Sequence, residues 1–195
     1  MAKDGPAPRD RMVYSAAQLV RERGVTGTGV REVVTRAAAP RGSFQHYFPG
    51  GKDQLVGEAL RWAGGFAAEH VAGYAATTKA PTPAGLLAHL VAPWEREFST
   101  RGFARGCPVM AAAGDVAAED SALTDSLRAG LDRWEDAVVA ELRRQGFPPD
   151  RARALATLLL STLEGAIQLA RIRRDVRPLT TVVTELGPLL TPAPT

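Results

Sequence analysis

Residues 28–52 read Thr28-Gly-Val-Arg-Glu-Val-Val-Thr-Arg-Ala-Ala-Ala-Pro-Arg-Gly-Ser-Phe-Gln-His-Tyr-Phe-Pro-Gly-Gly-Lys52, and they divide into two short helices at a tight turn. Val30, Val33, Val34 and Ala37 repeat at i, i+3, i+4, i+7, which is one face of a helix that Thr28 is placed to cap. Proline suits a first helical turn and restricts the residue before it, so Pro40 opens a second helix over about 41–47 that ends near Phe48-Pro49-Gly50-Gly51. Phe44 and Phe48 are four apart and Tyr47 is three from Phe44, so these rings anchor the second helix. Arg41, Gly42, Gln45 and His46 then lie on the opposite side.

Helical periodicity continues outward in both directions. Met12, Val13, Ala16, Leu19 and Val20 form one stripe of a helix over about 9–23, which Gly24 stops. Lys52 opens a long helix to about residue 76, with Leu55, Ala59, Trp62, Ala63, Phe66, Val71 and Tyr74 on or near its stripe. Further helices are expected at about 82–99, 109–113, 118–145, 150–174 and 178–190, with a loop over about 101–108. Nothing alternates at period two. The fold class is therefore all-α, with an N-terminal three-helix domain over residues 1–52 and a helical C-terminal domain over 53–195.

Composition agrees with a globular chain: of 195 residues, 45% are apolar and 23% charged, enough apolar surface for a real core. Charge is uneven. Residues 1–52 hold nine basic residues (Lys3, Arg9, Arg11, Arg21, Arg23, Arg31, Arg36, Arg41, Lys52) against Asp4, Asp10, Glu22 and Glu32, a net +5, while the whole chain is only +3. That asymmetry suits an end that meets a polyanion. Cys107 is the only cysteine, which excludes an intramolecular disulfide and a multi-cysteine metal site. The N-terminus has no apolar signal run, and the most apolar stretch, 155–169, is interrupted by Glu164, Gly165 and Gln168, so a cytoplasmic chain without a membrane span is expected.

Two short helices at a tight turn have the dimensions of a helix-turn-helix whose second helix enters a major groove about 12 Å wide. Arg41 can offer a fork to guanine, Gln45 can pair with adenine, and Gly42 admits close approach. Ser43, His46, Thr28 and Lys52 suit phosphate or sugar.

Arg41-Gly-Ser-Phe-Gln-His-Tyr-Phe-Pro-Gly-Gly-Lys52, preceded by Arg9-x-x-Met-x-x-x-Ala-Ala-x-Leu and by Thr28-Gly-Val-Arg-Glu-Val-Val, resembles the TetR family of repressors over residues 9–56. The resemblance implies a homodimer on a palindromic operator in double-stranded DNA, with Arg41, Gly42, Ser43, Gln45, His46, Tyr47 and Lys52 at the duplex. Two positions depart from the family pattern: Gln45 stands where a large residue is common, and Ala38 where the turn commonly has glycine.

Gly102-Phe-Ala-Arg-Gly-Cys-Pro-Val-Met110, with Trp134 and Leu163-Glu-Gly-Ala-Ile-Gln-Leu-Ala-Arg171, resembles the LmrA/YxaF-like branch of the same family. It implies a mostly apolar cavity for a small effector whose binding releases DNA. Phe66, Trp94, Phe98, Phe103, Cys107, Met110 and Trp134 are candidates to line it; the aromatic residues serve equally as core. Glu164 and Gln168, four apart, can orient a ligand, pack at a seam or face solvent. A fifty-residue DNA-reading unit gains specificity by two-fold repetition, and Leu155, Leu158, Leu159, Thr162, Leu163, Leu186, Leu189 and Leu190 are the candidate dimer seam. His70 and His89 read as hydrogen-bonded structural histidines. No metalloprotease, phosphate-loop or nucleophile-elbow motif occurs, and Gly24-Val-Thr-Gly-Thr-Gly29 follows a helix rather than the strand a dinucleotide loop requires, so neither an enzyme nor a cofactor or metal is expected.

Overall fold

Nine α-helices and a closing 3-10 turn follow one another without a strand among the described residues, which are 6–40, 42–116 and 121–190 of this computed structural model. They are α1 (Pro8–Arg23), α2 (Val30–Arg36), α3 (Ser43–Tyr47), α4 (Gly51–Thr77), α5 (Pro83–Arg101), α6 (Pro108–Val116), α7 (Ala122–Arg144), α8 (Pro149–Arg173), α9 (Arg177–Leu186) and the turn Gly187–Leu189. The all-α class expected from periodicity is what the chain adopts. Two ends differ for identifiable reasons. Thr28 does not cap α2; Gly29 holds the N-cap, and the Thr28 hydroxyl donates to the Gly24 carbonyl at 2.7 Å. The last helix stops at Leu186 because Pro188 has no N–H to continue it. The expected start of α7 at 118 lies outside the described residues.

Packing does not divide at residue 52. One compact unit comprises residues 1–65 and 107–131, the other 66–106 and 132–195. In the first, α1 packs on α2 and on α6. Met12, Val13, Ala16, Leu19, Val33, Val34, Ala37, Phe48, Leu55 and Ala59 are buried together, with Val30, Ala39, Phe44 and Tyr47 covering them. Asp115 of α6 accepts from the Thr26 amide at 2.9 Å, which ties the loop between α1 and α2 to α6. Helices α4 and α7 cross at glycines: a Cβ on Gly64 would stand 2.0 Å from the Gly130 carbonyl oxygen, and one on Gly130 would stand 2.7 Å from that of Leu60. Beside the crossing, Arg61 donates to Ser126 Oγ at 2.6 Å.

In the second unit α8 packs on α9 and α5, and α9 also packs on α5. Leu86, Leu87, Leu155, Leu159, Leu163, Ile167 and Leu179 are fully or almost fully buried there. By length and composition α8 could cross a bilayer, but half of its apolar window is inside the protein, as in a core helix. Pro93 lies within α5, so the His89 carbonyl loses its helical donor. His70 Nε2 lies 3.2 Å from that oxygen, His89 Nε2 lies 3.0 Å from the His70 carbonyl, and the two rings stack at 4.1 Å. Both are structural histidines that staple α4 to α5.

Candidate nucleic-acid interface

Helix α3 is only five residues long and cannot hold its shape alone. Its rings hold it to the unit: Phe48 is fully buried, Phe44 lies 5.6 Å from it, and Tyr47 packs over the same core. The 3.6-residue period then turns Gly42, Gln45 and His46 outward, and all three are exposed. A Cβ on Gly42 would meet nothing, so that side of the helix start is open. His46 meets Tyr47 edge to face at 5.0 Å. Gln45 Nε2 is 3.5 Å from the Pro49 carbonyl, long enough to leave the amide its own recognition chemistry. Ser43 is half-buried and its hydroxyl donates to Pro40 O at 2.7 Å. Lys52 opens α4 half-buried, with Nζ 3.5 Å from Thr26 O. Arg41 lies outside the described residues.

Thr28 needs a second correction. It is 2% exposed and its hydroxyl is spent on Gly24, so it presents no open donor to phosphate. The turn before α3 is a Schellman end: Ala39 N donates to Val34 O, Ala38 N donates to Thr35 O, and Ala38 carries φ 46°. The left-handed residue where glycine is usual is therefore an alanine.

Several basic side chains of the N-terminal segment are paired within their own unit, two of them with acids already counted in its net +5. Arg9 pairs with Glu58 at 2.5 Å, Arg23 with Glu32 at 2.8 Å, and Arg36 with both oxygens of Glu22 at 3.0 and 3.2 Å. The Glu22 hydrogen bond holds the Arg36 pKa above its ordinary value. Arg11 donates to backbone carbonyls. Exposed Arg31 and half-buried Lys52 have no carboxylate partner among the described residues. The positive side of this unit is carried by fewer side chains than the composition suggested.

The expected effector residues separate. Trp94, Phe98 and Phe103 form a ring series in the second unit, with centroids 6.0 and 5.1 Å apart, and Phe98 is core. Trp134 and Glu164 are buried in the same unit, and the Trp134 indole N–H has no acceptor among the described residues. Gln168 accepts from Arg171 at 3.2 Å. Phe66 is 60% exposed, so it lines no enclosed cavity. Buried Cys107 and half-buried Met110 belong to the first unit. An open groove of about 650 Å³ in that unit is bordered by Arg9, Asp10, Val13, Glu58, Arg61 and Trp62, none of them an expected effector contact.

Of the expected seam, Leu155, Leu159, Leu163 and Leu190 are interior to a single chain. Thr162 and Leu186 are half-buried, and Leu158 and Leu189 are exposed. Exposed Leu169 and Ile172 were not foreseen. With Leu158, Thr162 and Gly165 they repeat at steps of four and three, a heptad-like stripe on α8.

Residues 14–59 match the model of the bacterial regulatory proteins of the tetR family, and residues 83–185 match the C-terminal domain of LmrA/YxaF-like transcriptional regulators. The chain is 44% identical to an uncharacterized HTH-type transcriptional regulator of Mycobacterium tuberculosis, with 94% of each chain covered. It is 27% identical to the uncharacterized HTH-type transcriptional regulator YxaF of Bacillus subtilis over 93% of this chain and 94% of that one. A TetR transcriptional regulator from Legionella pneumophila has the same fold, with TM-score 0.81 at 15% identity, covering 96% of this chain and 100% of that one.

Proposed function

Because the chain belongs to the TetR family of transcriptional regulators, with an LmrA/YxaF-like C-terminal domain, we propose that it represses transcription as a homodimer on a palindromic operator and is released by a small, mostly apolar effector. One observation carries most weight: Gly42, Gln45 and His46 stand open on a helix whose other face is locked by Phe44, Tyr47 and Phe48. Gln45 reads a base edge, with adenine its best partner, and Arg41 takes the guanine-reading place at the helix start. Gly42 allows approach, while Ser43, His46, Tyr47 and Lys52 hold the phosphate backbone. Residues 1–52 carry DNA recognition and residues 53–195 carry assembly and effector response. The seam is the α8 stripe of Leu158, Thr162, Gly165, Leu169 and Ile172, with Leu189 beside Leu186.

The effector site is built around Trp94, Phe98, Phe103 and Trp134, whose unmatched indole N–H offers one directional hydrogen bond. Effector binding acts by favouring one spacing of the two recognition helices over the other, and only a ligand with unequal affinity for the two arrangements does so. The protein works in the cytoplasm, where the operator is.

The test is a binding titration on duplexes that the protein itself enriches from a random pool. Gln45→Ala relaxes choice at one position per half-site and costs about 1–3 kcal/mol on the preferred duplex. Equal base preference in wild type and variant contradicts the assignment of α3.

A further inference from the structure

We propose that Arg11 positions the recognition helix, clamping the strained turn between α2 and α3 together with the chain at Pro6, and so sets the specificity of duplex reading without touching DNA. The proposal rests on the DNA-reading function given above. Arg11 is half-buried on α1. Its Nε donates to Ala37 O at 2.8 Å, Nη2 to Ala38 O at 3.2 Å, and Nη1 to Pro6 O at 2.7 Å. A guanidinium holds its donors in one rigid plane, so three carbonyls from two separated segments are fixed relative to one another.

Two of those carbonyls belong to the residues at the joint itself. Ala37 is the C-cap of α2 and Ala38 is the left-handed residue with φ 46°. Helix-end carbonyls lack intrahelical donors, and Arg11 supplies them. From Ala38 the backbone reaches α3 at Ser43 through residues 39–42, with Ser43 N donating to Pro40 O at 3.0 Å, so the carbonyls held by the clamp lie at the joint from which α3 leaves α2. An alanine in this conformation has no intrinsic preference for it, and the clamp offsets what glycine would supply. The same donors are the ones a phosphate would need, and they are turned to the protein's own backbone.

The experiment uses the full chain, a duplex the wild type enriches from a random pool, and a shuffled duplex of the same composition. Affinities are measured across a salt series for Arg11→Met, Arg11→Lys and Arg11→Met with Ala38→Gly, each corrected for active fraction by stoichiometric titration. Arg11→Met lowers the ratio of enriched to shuffled affinity about tenfold while the salt slope stays at the wild-type value, because no phosphate contact is lost. Arg11→Lys, which keeps charge but cannot span three carbonyls, falls comparably and serves where the methionine variant does not fold. Ala38→Gly restores part of the ratio. An unchanged ratio in a folded variant overturns the positioning role, and a slope shallower by about one shows a direct phosphate contact and overturns it as well. A wild type that enriches no duplex overturns the DNA-reading function and this role with it; a wild type that enriches one, with variants equal to it, overturns only the role of Arg11.

Discussion

With φ 46° and no glycine, Ala38 stores local strain, so Ala38→Gly raises stability by about 1 kcal/mol in chemical denaturation; no gain means that the turn relaxes elsewhere. Lys52→Ala weakens binding to every duplex and lowers the salt slope by about one, since a 3.5 Å approach to Thr26 O leaves the ammonium available to phosphate. An unchanged slope removes Lys52 from the interface. The open and locked faces of α3 were legible in the sequence because rings at residues 44, 47 and 48 leave the helix only one way to pack. Thr28 was not legible: a hydroxyl next to a helix start serves as cap, phosphate donor or internal donor, and only the nearby Gly24 carbonyl decides among them.

Two of the helix contacts are made by devices that leave no hydrophobic signature. The crossing of α4 on α7 requires Gly64 and Gly130, because any Cβ on Gly64 drives into backbone rather than into a movable side chain. Gly64→Ala therefore destabilises by about 1–3 kcal/mol despite its better helix propensity, and a stability equal to wild type in denaturant contradicts the close crossing. The α4–α5 staple has a pH signature. Burial holds the His70 pKa below its ordinary 6.5, against the opposing pull of the hydrogen bond to the His89 carbonyl. The unfolded chain then binds the proton more readily, so stability is full above about pH 6.5 and falls as pH drops toward the lowered value. His70→Gln removes that part of the acid-side slope; identical slopes in variant and wild type contradict the assignment. Periodicity located the helices themselves well, since α1, α5 and α7 are each followed by a left-handed glycine, although α8 ends on a left-handed Arg174. It placed Pro93 inside α5 but not the fate of the His89 carbonyl that Pro93 frees, because His70, which bonds that oxygen, is 19 positions away.

At the level of the whole molecule, the proposed regulator needs both a DNA-reading face on α3 and an assembly face on α8. Apolar content alone could not separate Leu155, Leu159 and Leu163, which fill the chain's own core, from Leu158, Leu169 and Ile172, which face outward on the same helix. The difference is one of phase around α8 and becomes visible only once α5 and α9 cover one side. Ile172→Glu, at a site 78% exposed in the single chain, leaves the fold intact and shifts the protein to monomer in light scattering, with loss of operator binding; a dimer of unchanged mass contradicts the seam. The effector stayed out of reach of sequence because aromatic residues at helical spacing serve core and cavity alike, as buried Phe98 shows. Whether α3 reads DNA in duplicate is decided by the consensus of duplexes enriched by the full chain from a random pool at low ionic strength. An inverted repeat with half-sites about one helical turn apart, lost when Gln45 and His46 are both changed to alanine, is the predicted result. Enrichment of nothing, or of the same repeat by the double variant, contradicts it.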